Sequence, residues 1–249
     1  QAAGYISRTG ELTPADRLLV DQQMKFMRLR KSVDLRKLLM AIELMTTGQV
    51  VIMSDNQPRF VQSFGRDPSA VFNPTSLWSA TGSTPVKDIN KMLELANDLS
   101  GPANMILTTT AVWNALLKNN DFNDTYLKPY VGVAVPFTPG MVVNQNKPVL
   151  RGYLPNTTVP IYTYDAKYKL SLGSPFTRFL PNGFFGVVSA TGMVAQAQIK
   201  ALPAYGQGLD YFDSQEIKIS PSLLHMYCES APAIIPGNPN FIVGGSNFI

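Results

Sequence analysis

The fold is decided by residues 13–48, whose sequence is TPADRLLVDQQMKFMRLRKSVDLRKLLMAIELMTTG. Thr13 is typical of a helix N-cap, Pro14 suits the first helical position, and Asp16 lies where the helix dipole favours a negative charge. No Gly or Pro follows until Gly48, a residue type common just after a helix C-terminus. The stretch therefore predicts one unbroken helix, roughly 50 Å long at about 1.5 Å per residue.

Apolar residues recur along this stretch at close to helical spacing, which predicts one narrow apolar stripe. A helix of this length with a single narrow stripe is typical of a strut that lies across a surface. The residues of the stripe are Leu18, Leu19, Phe26, Leu29, Val33, Leu38, Ile42 and Met45.

The composition indicates a folded chain with an unusually uncharged surface. Its 249 residues suffice for one large domain or two modest ones, and the 45% apolar content excludes a disordered chain. Charged residues make up only 15%, against about 25% in ordinary soluble domains. Much of the surface is therefore expected to face packed neighbours in an assembly, or else the interior is large. No apolar run reaches the roughly 18 residues of a membrane helix, so no membrane partner is expected.

The segments after Gly48 predict a mixed α+β fold. Further helices are predicted at Pro85–Leu99 and Ala111–Lys118. A hairpin is predicted from Phe184–Ser189 and Met193–Ile199, with Ala190-Thr191-Gly192 as its turn. The other predicted strands are residues 49–53, 59–64, 104–108, 131–135, 141–144, 149–153, 159–164, 216–219 and 223–228.

Catalytic and metal-binding patterns are missing from the sequence. The only histidine, His225, and the only cysteine, Cys228, lie three positions apart, so on a strand they point to opposite faces. One His and one Cys cannot form a structural zinc site, a single Cys allows no intramolecular disulfide, and no phosphate-binding glycine motif is present. We therefore expect no catalytic residues, no metal and no cofactor, with His225 and Cys228 as packing residues.

Two features suggest interaction surfaces, and each has a plainer interpretation. The long helix carries a basic cluster that is either a solvated face or a surface for packaged DNA or an acidic partner, in a chain of net charge +4. The weakly charged stretch 123–147 is either an ordinary loop or a contact loop that becomes buried on assembly. The residues of the basic cluster are Lys25, Arg28, Arg30, Lys31, Arg36 and Lys37.

Four stretches in this order resemble the lambda-type major capsid proteins of tailed bacteriophages and prophages, which have the Hong Kong 97 fold. The first is the end of the long helix, and the second is a loop followed by the helix Val86–Leu99. The third precedes the strand Phe184–Val188, and the fourth lies near the end of the sequence given. Their sequences are IELMTTGQ (residues 42–49), FNPTSLW (72–78), FLPNG (179–183) and ESAPAIIP (229–236) with NPNF (238–241).

The resemblance implies an α+β fold with two domains. Residues 1–82, with the long helix as spine and completed by 203–249, would form a peripheral domain with a sheet. Residues 83–202 would form a mixed α/β axial domain around the five- and six-fold axes. The N-terminal arm and most of the extended loop of the family are expected to be absent from this chain. The expected axial-loop contacts are Tyr130, Val133, Val135, Phe137 and Met141.

The resemblance also implies a function. Copies would assemble into pentamers and hexamers that form an icosahedral head around phage DNA, in the bacterial host cytoplasm. Scaffolding and decoration proteins, and non-specific contact with the packaged DNA, would be the other interactions. Two alternatives remain open from the residues: a nucleic-acid-binding module that uses the helix segment Lys25–Lys37, and a hydrolase.

Overall fold

The computed structural model describes residues 14–54, 57–127, 147–154, 157–169, 173–189, 193–196, 210–218 and 223–249. The helices are α1 (Pro14–Thr47), α2 (Pro85–Ser100), α3 (Thr110–Lys118) and the short α4 (Asn120–Phe122), which continues into a π-helical turn, Asn123–Leu127. Thirteen strands lie within the described residues. They are β1 (Gln49–Ser54), β2 (Gln57–Ser63), β3 (Met105–Thr108), β4 (Val149–Tyr153), β5 (Pro160–Thr163), β6 (Lys167–Tyr168), β7 (Thr177–Arg178), β8 (Phe185–Val188), β9 (Met193–Gln196), β10 (Phe212–Lys218), β11 (Leu223–Glu229), β12 (Pro232–Ile235) and β13 (Ile242–Gly245).

The long helix is confirmed as one uninterrupted element of 34 residues. It ends as predicted, because Gly48 adopts a φ of 70° and its N–H donates to the carbonyl of Leu44 at 2.9 Å. The predicted apolar stripe is covered unevenly: Ile42 is buried, and Phe26, Leu29, Val33 and Met45 are half-buried. Leu18, Leu19 and Leu38 are exposed, and burial is concentrated in the last turns of the helix, at Met40, Ile42 and Leu44.

The chain folds into two compact units. Unit 1 contains Gln1–Met40 and Val194–Ile235, and unit 2 contains Ala41–Met193 and Pro236–Ile249. The boundary between the units therefore falls within α1. These limits differ from the predicted division at residues 82 and 203, and the assignment of a peripheral and an axial domain stays a prediction.

Unit 2 is built on a five-stranded mixed sheet with the order β13-β8-β3-β5-β4. Strand β3 is parallel to β5 and antiparallel to β8, and α2 and α3 supply buried residues to the same core. The centre of this core is aromatic. The ring centroid of Trp78 lies 4.5 Å from the ring centroid of Phe248 and 4.8 Å from that of Phe185. The indole N–H of Trp78 donates to Asp88 Oδ2 at 2.9 Å, which satisfies its polar group inside the apolar surroundings.

The predicted hairpin of residues 184–199 is wrong, although both of its strands exist. Strand β8 pairs with β3 and β13 in the five-stranded sheet, whereas β9 pairs with β12. All four residues of β8 are buried, which is typical of a central strand. The N–H and C=O groups of such a strand find hydrogen-bond partners only if a neighbouring strand pairs with each of its two edges.

Unit 1 contains the antiparallel hairpin of β10 and β11, which pair from Phe212 with Glu229 to Lys218 with Leu223. Two more two-stranded sheets lie in unit 2, β1 with β2 and β6 with β7. The α+β fold class is thus confirmed. Both strands predicted within residues 128–146 lie outside the described residues.

Candidate assembly surfaces

Half of the predicted basic cluster on α1 is already paired with carboxylates. Arg30 bonds to Asp213 on β10, with Nε at 2.8 Å from Oδ2. Lys25 forms an ion pair with Asp21 one turn earlier, at 2.6 Å. Lys37 lies 3.6 Å from a carboxylate oxygen of Asp210. The cluster is therefore in part a structural contact of unit 1.

Tyr211 contacts two residues of α1, Asp34 and Lys37. Its hydroxyl donates to the Asp34 carboxylate, and the ammonium of Lys37 lies 4.4 Å from the centroid of its ring. The hydrogen bond to Asp34 is the main reason that the pKa of Tyr211 is raised to about 12. The phenol therefore stays protonated, and keeps this bond, to a higher pH than an ordinary tyrosine.

Arg28 and Lys31 differ from the other members of the basic cluster in their contacts. Arg28 and Lys31 are exposed, and neither forms an ion pair with a residue that the structure describes. Arg36, by contrast, has an interaction partner. Arg28 borders an open groove of about 400 Å³ whose other lining residues are Lys25, Leu29, Ser32, Leu224 and Met226.

The predicted axial-loop contacts cannot be placed on this fold. Tyr130, Val133, Val135, Phe137 and Met141 all lie in 128–146, outside the described residues. Their role stays a prediction.

The thiol of Cys228 is in an environment that suppresses its chemistry. Burial, followed by the neighbouring Asp213 carboxylate, raises its pKa to about 11. His225 lies on the same strand at an odd offset from Cys228, opposite Glu216 of β10, and its ring stacks on Tyr227. These positions suit packing residues. Among the described residues, no three His, Cys, Asp or Glu side chains converge as a metal site would require.

A cavity of about 800 Å³ lies in unit 2 between the loop that follows Trp78 and the helices α3 and α4. Its charged side chains are Lys118 and Asp121. Asp121 accepts a hydrogen bond from the backbone N–H of Val86 at 3.1 Å, near the start of α2. Asn119, another lining residue, donates to Ser83 Oγ at 2.8 Å. The polar groups that line the cavity thus hold the surrounding loops together.

Sequence reasoning missed Arg66, whose side chain links separate segments of unit 2. Its two terminal nitrogens donate to four backbone carbonyls, those of Met45 and Thr46 at the end of α1, Ala70, and Ile242 on β13, over 2.9–3.3 Å. Burial lowers the pKa of this guanidinium. A cation near a helix C-terminus also interacts favourably with the helix dipole. The available signal was weak: a single Arg between Gly65 and Asp67, in a segment of low charge.

The comparisons with known proteins agree with this architecture. The sequence profile of the family described as Phage major capsid protein E matches residues 2–247. No curated protein sequence matches the chain significantly. Among the helices that the structure describes, none is both long enough and apolar enough to cross a membrane.

Among solved structures, the proposed capsid protein of a prophage of Escherichia coli CFT073 superposes with a TM-score of 0.72 at 17% sequence identity. The match covers 99% of this chain and 74% of that chain, and at this identity it shows a shared fold. A phage-related protein from Bordetella bronchiseptica RB50 gives a TM-score of 0.42 at 11% identity, over 100% of this chain and 70% of that one.

The resemblance to tailed-phage capsid proteins, expected from four short stretches, is confirmed over nearly the whole chain. The family indicates a structural role in the virion. The chain belongs to the phage major capsid protein E family.

Proposed function

We propose that copies of this chain associate into pentamers and hexamers that tile an icosahedral head around the phage DNA. The observation that carries the proposal is the family match over residues 2–247. Capsomer rings need heterologous contacts that close by rotation, and each contact can be weak because many act together. The low charge content suits a subunit whose surface is largely covered by its neighbours.

Helix α1 supports this proposal as a stiff element. Its 34 residues form one helix with no Gly, and with no Pro after Pro14 at its first position, and a helix of that length extends about 50 Å. We propose that it acts as the spine of a peripheral domain, with residues 83–202 as the axial domain. In that arrangement the neighbouring copies around the rotation axes would be contacted by Tyr130, Val133, Val135, Phe137 and Met141.

Contact with packaged DNA is proposed for Arg28 and Lys31. Both are exposed on α1 and form no ion pair within the described residues. Backbone phosphates need only such positive charges, with no reading of sequence. A dedicated nucleic-acid-binding module is less well supported, because Lys25, Arg30 and Lys37 already pair with carboxylates. Scaffolding and decoration partners, and assembly in the host cytoplasm, are proposed from the family alone.

Sedimentation velocity of the purified full-length chain, over a range of protein and salt concentrations, tests the proposal. We expect discrete species of capsomer size or larger, which appear as rings or shells by negative-stain electron microscopy. A chain that stays monomeric under every condition would rule the proposal out.

A further inference from the structure

The hairpin of β1 and β2 has an anchored base and an exposed outer part. At the base Val50 is only 3% exposed, and the N–H of Val51 donates to Glu43 Oε2 of α1 at 3.3 Å. The N–H of Phe64, just after β2, donates to the carbonyl of Gly48 at 3.3 Å, which closes the base. The position of the hairpin is thus fixed by the end of α1.

The outer part presents apolar side chains on both faces. Ile52 pairs with Phe60 across the strands, and these side chains are 48% and 55% exposed. Val51 pairs with Val61 on the opposite face, where Val61 is 42% exposed. Within the described residues, the two strands pair with each other and with no further strand. A two-stranded ribbon is marginal by itself, and exposed apolar surface of this kind usually marks a contact.

The charges of the hairpin decide what kind of partner fits. From Gln49 to Ser63 the sequence contains one acid, Asp55, and one base, Arg59, so the segment has no net charge. Such a surface offers little to the phosphates of DNA, which bind Lys and Arg. It does not repel another copy of the chain, whose surface is likewise poor in charge.

We propose that the outer part of this hairpin, with Ile52, Phe60 and Val61, is a contact between copies of the chain. This inference rests on the proposed function, since it names one surface through which capsomers or shells are held together. Fixing the base of the hairpin places its apolar residues in advance, which lowers the entropic cost of association.

The test compares Phe60→Glu with a matched control, Phe176→Glu. Phe176 is also an exposed phenylalanine, at 66%, on a different part of unit 2. Both variants should keep the wild-type circular dichroism and melting temperature, since neither removes a core residue. We expect Phe60→Glu to raise the concentration needed for half-assembly by about tenfold or more, because an unpaired charge in an apolar contact is strongly unfavourable. Phe176→Glu should assemble like the wild type.

Hydrogen exchange of the wild-type protein gives a second readout that needs no variant. The amides of residues 49–63 should exchange more slowly in assembled particles than in dissociated subunits. The inference is overturned if Phe60→Glu assembles at wild-type concentrations, if both variants lose assembly equally, or if these amides gain no protection. A wild-type chain that never assembles overturns the proposed function as well, so the two failures are distinguishable.

Discussion

Arg30 on α1 donates from Nε to Oδ2 of Asp213 on β10 at 2.8 Å, which joins two side chains that are 183 positions apart in the sequence. The Asp213 side chain is only 17% exposed, whereas Arg30 is about half exposed. Within unit 1, this bond and the Tyr211–Asp34 bond attach the hairpin of β10 and β11 to the long helix. The basic cluster, for which the sequence left open a solvated face or a surface for DNA or an acidic partner, is thus partly a structural element.

Replacing Arg30 by Met is expected to destabilise the protein, since it leaves the largely buried Asp213 carboxylate without its cation. The expected loss is about 1 kcal/mol in the free energy of unfolding, the upper end for a half-exposed ion pair. Urea denaturation measures it. Arg28→Met is the control, and it should change stability by less than about 0.5 kcal/mol because Arg28 forms no ion pair among the described residues. Equal losses in the two variants would contradict this account.

Arg66→Met should lower the free energy of unfolding by far more than Arg30→Met does. It removes hydrogen bonds to the carbonyls of Met45, Thr46, Ala70 and Ile242 and leaves these backbone acceptors without the donor. We expect a loss of about 2–4 kcal/mol. Differential scanning calorimetry should show a clearly lower melting temperature, whereas the exposed Arg59→Met should leave it nearly unchanged. An unaffected Arg66→Met variant would mean that these bonds contribute little.

The Cys228 thiol is expected to react slowly with iodoacetamide. Its pKa of about 11 keeps it protonated at pH 8, while the unfolded chain has an ordinary thiol. The thiolate that does form is intrinsically more nucleophilic, which offsets part of the effect. We expect the folded protein to react roughly 10- to 100-fold more slowly than the same protein in urea. Similar rates in the two states would show that the thiol is not shielded.

Tyr211 makes stability depend on pH at the alkaline end. Its folded pKa, about 12, lies above its ordinary value of 10.0, so the protonated phenol is favoured by folding. The contribution of the Tyr211–Asp34 bond is therefore complete below pH 10 and is lost as pH rises towards 12. Asp34→Asn should lower the phenol pKa, as measured by phenolate absorbance against a Tyr211→Phe baseline. An unchanged titration in Asp34→Asn would show that Asp34 is not the cause.

Contact with DNA predicts a specific salt dependence. If Arg28 and Lys31 meet phosphates, the double variant Arg28→Gln, Lys31→Gln should bind duplex DNA less tightly and reduce the slope of log K against log salt by about two. Fluorescence anisotropy over a salt series gives this slope. Lys25→Gln is the control on the same helix, and it should have a smaller effect because Lys25 already pairs with Asp21. An unchanged slope in the double variant removes these two residues from the DNA contact.

Local signals predicted the helices well. Pro14 and Gly48 limit α1, and Thr84, Pro85 and Gly101 limit α2, because capping and backbone conformation depend on residues next to each other in the chain. Short apolar runs also indicated nine of the described strands, whereas β6, β7, β12 and β13 were not predicted. The pattern of burial along α1 could not be predicted, because apolar spacing alone does not indicate which turns of a helix other elements will cover.

Long-range pairing could not be predicted from such signals. Phe185–Val188 and Met193–Gln196 look like a hairpin in the sequence, yet β8 lies between β3 and β13. Three of the four partners of Arg66, the carbonyls of residues 45, 46 and 242, lie 20 or more positions away, and nothing near Arg66 in the sequence indicates them. The same holds for Arg30 and Asp213, whose opposite charges are only two among many in the chain.

The central claim, that this chain builds a closed shell from copies of itself, is tested most directly by electron microscopy of particles assembled from the full-length protein. A three-dimensional reconstruction should show rings of five and six subunits, each with residues 14–47 as one continuous helix. Subunits that remain single, or particles in which that segment is broken into several short helices, would contradict the account.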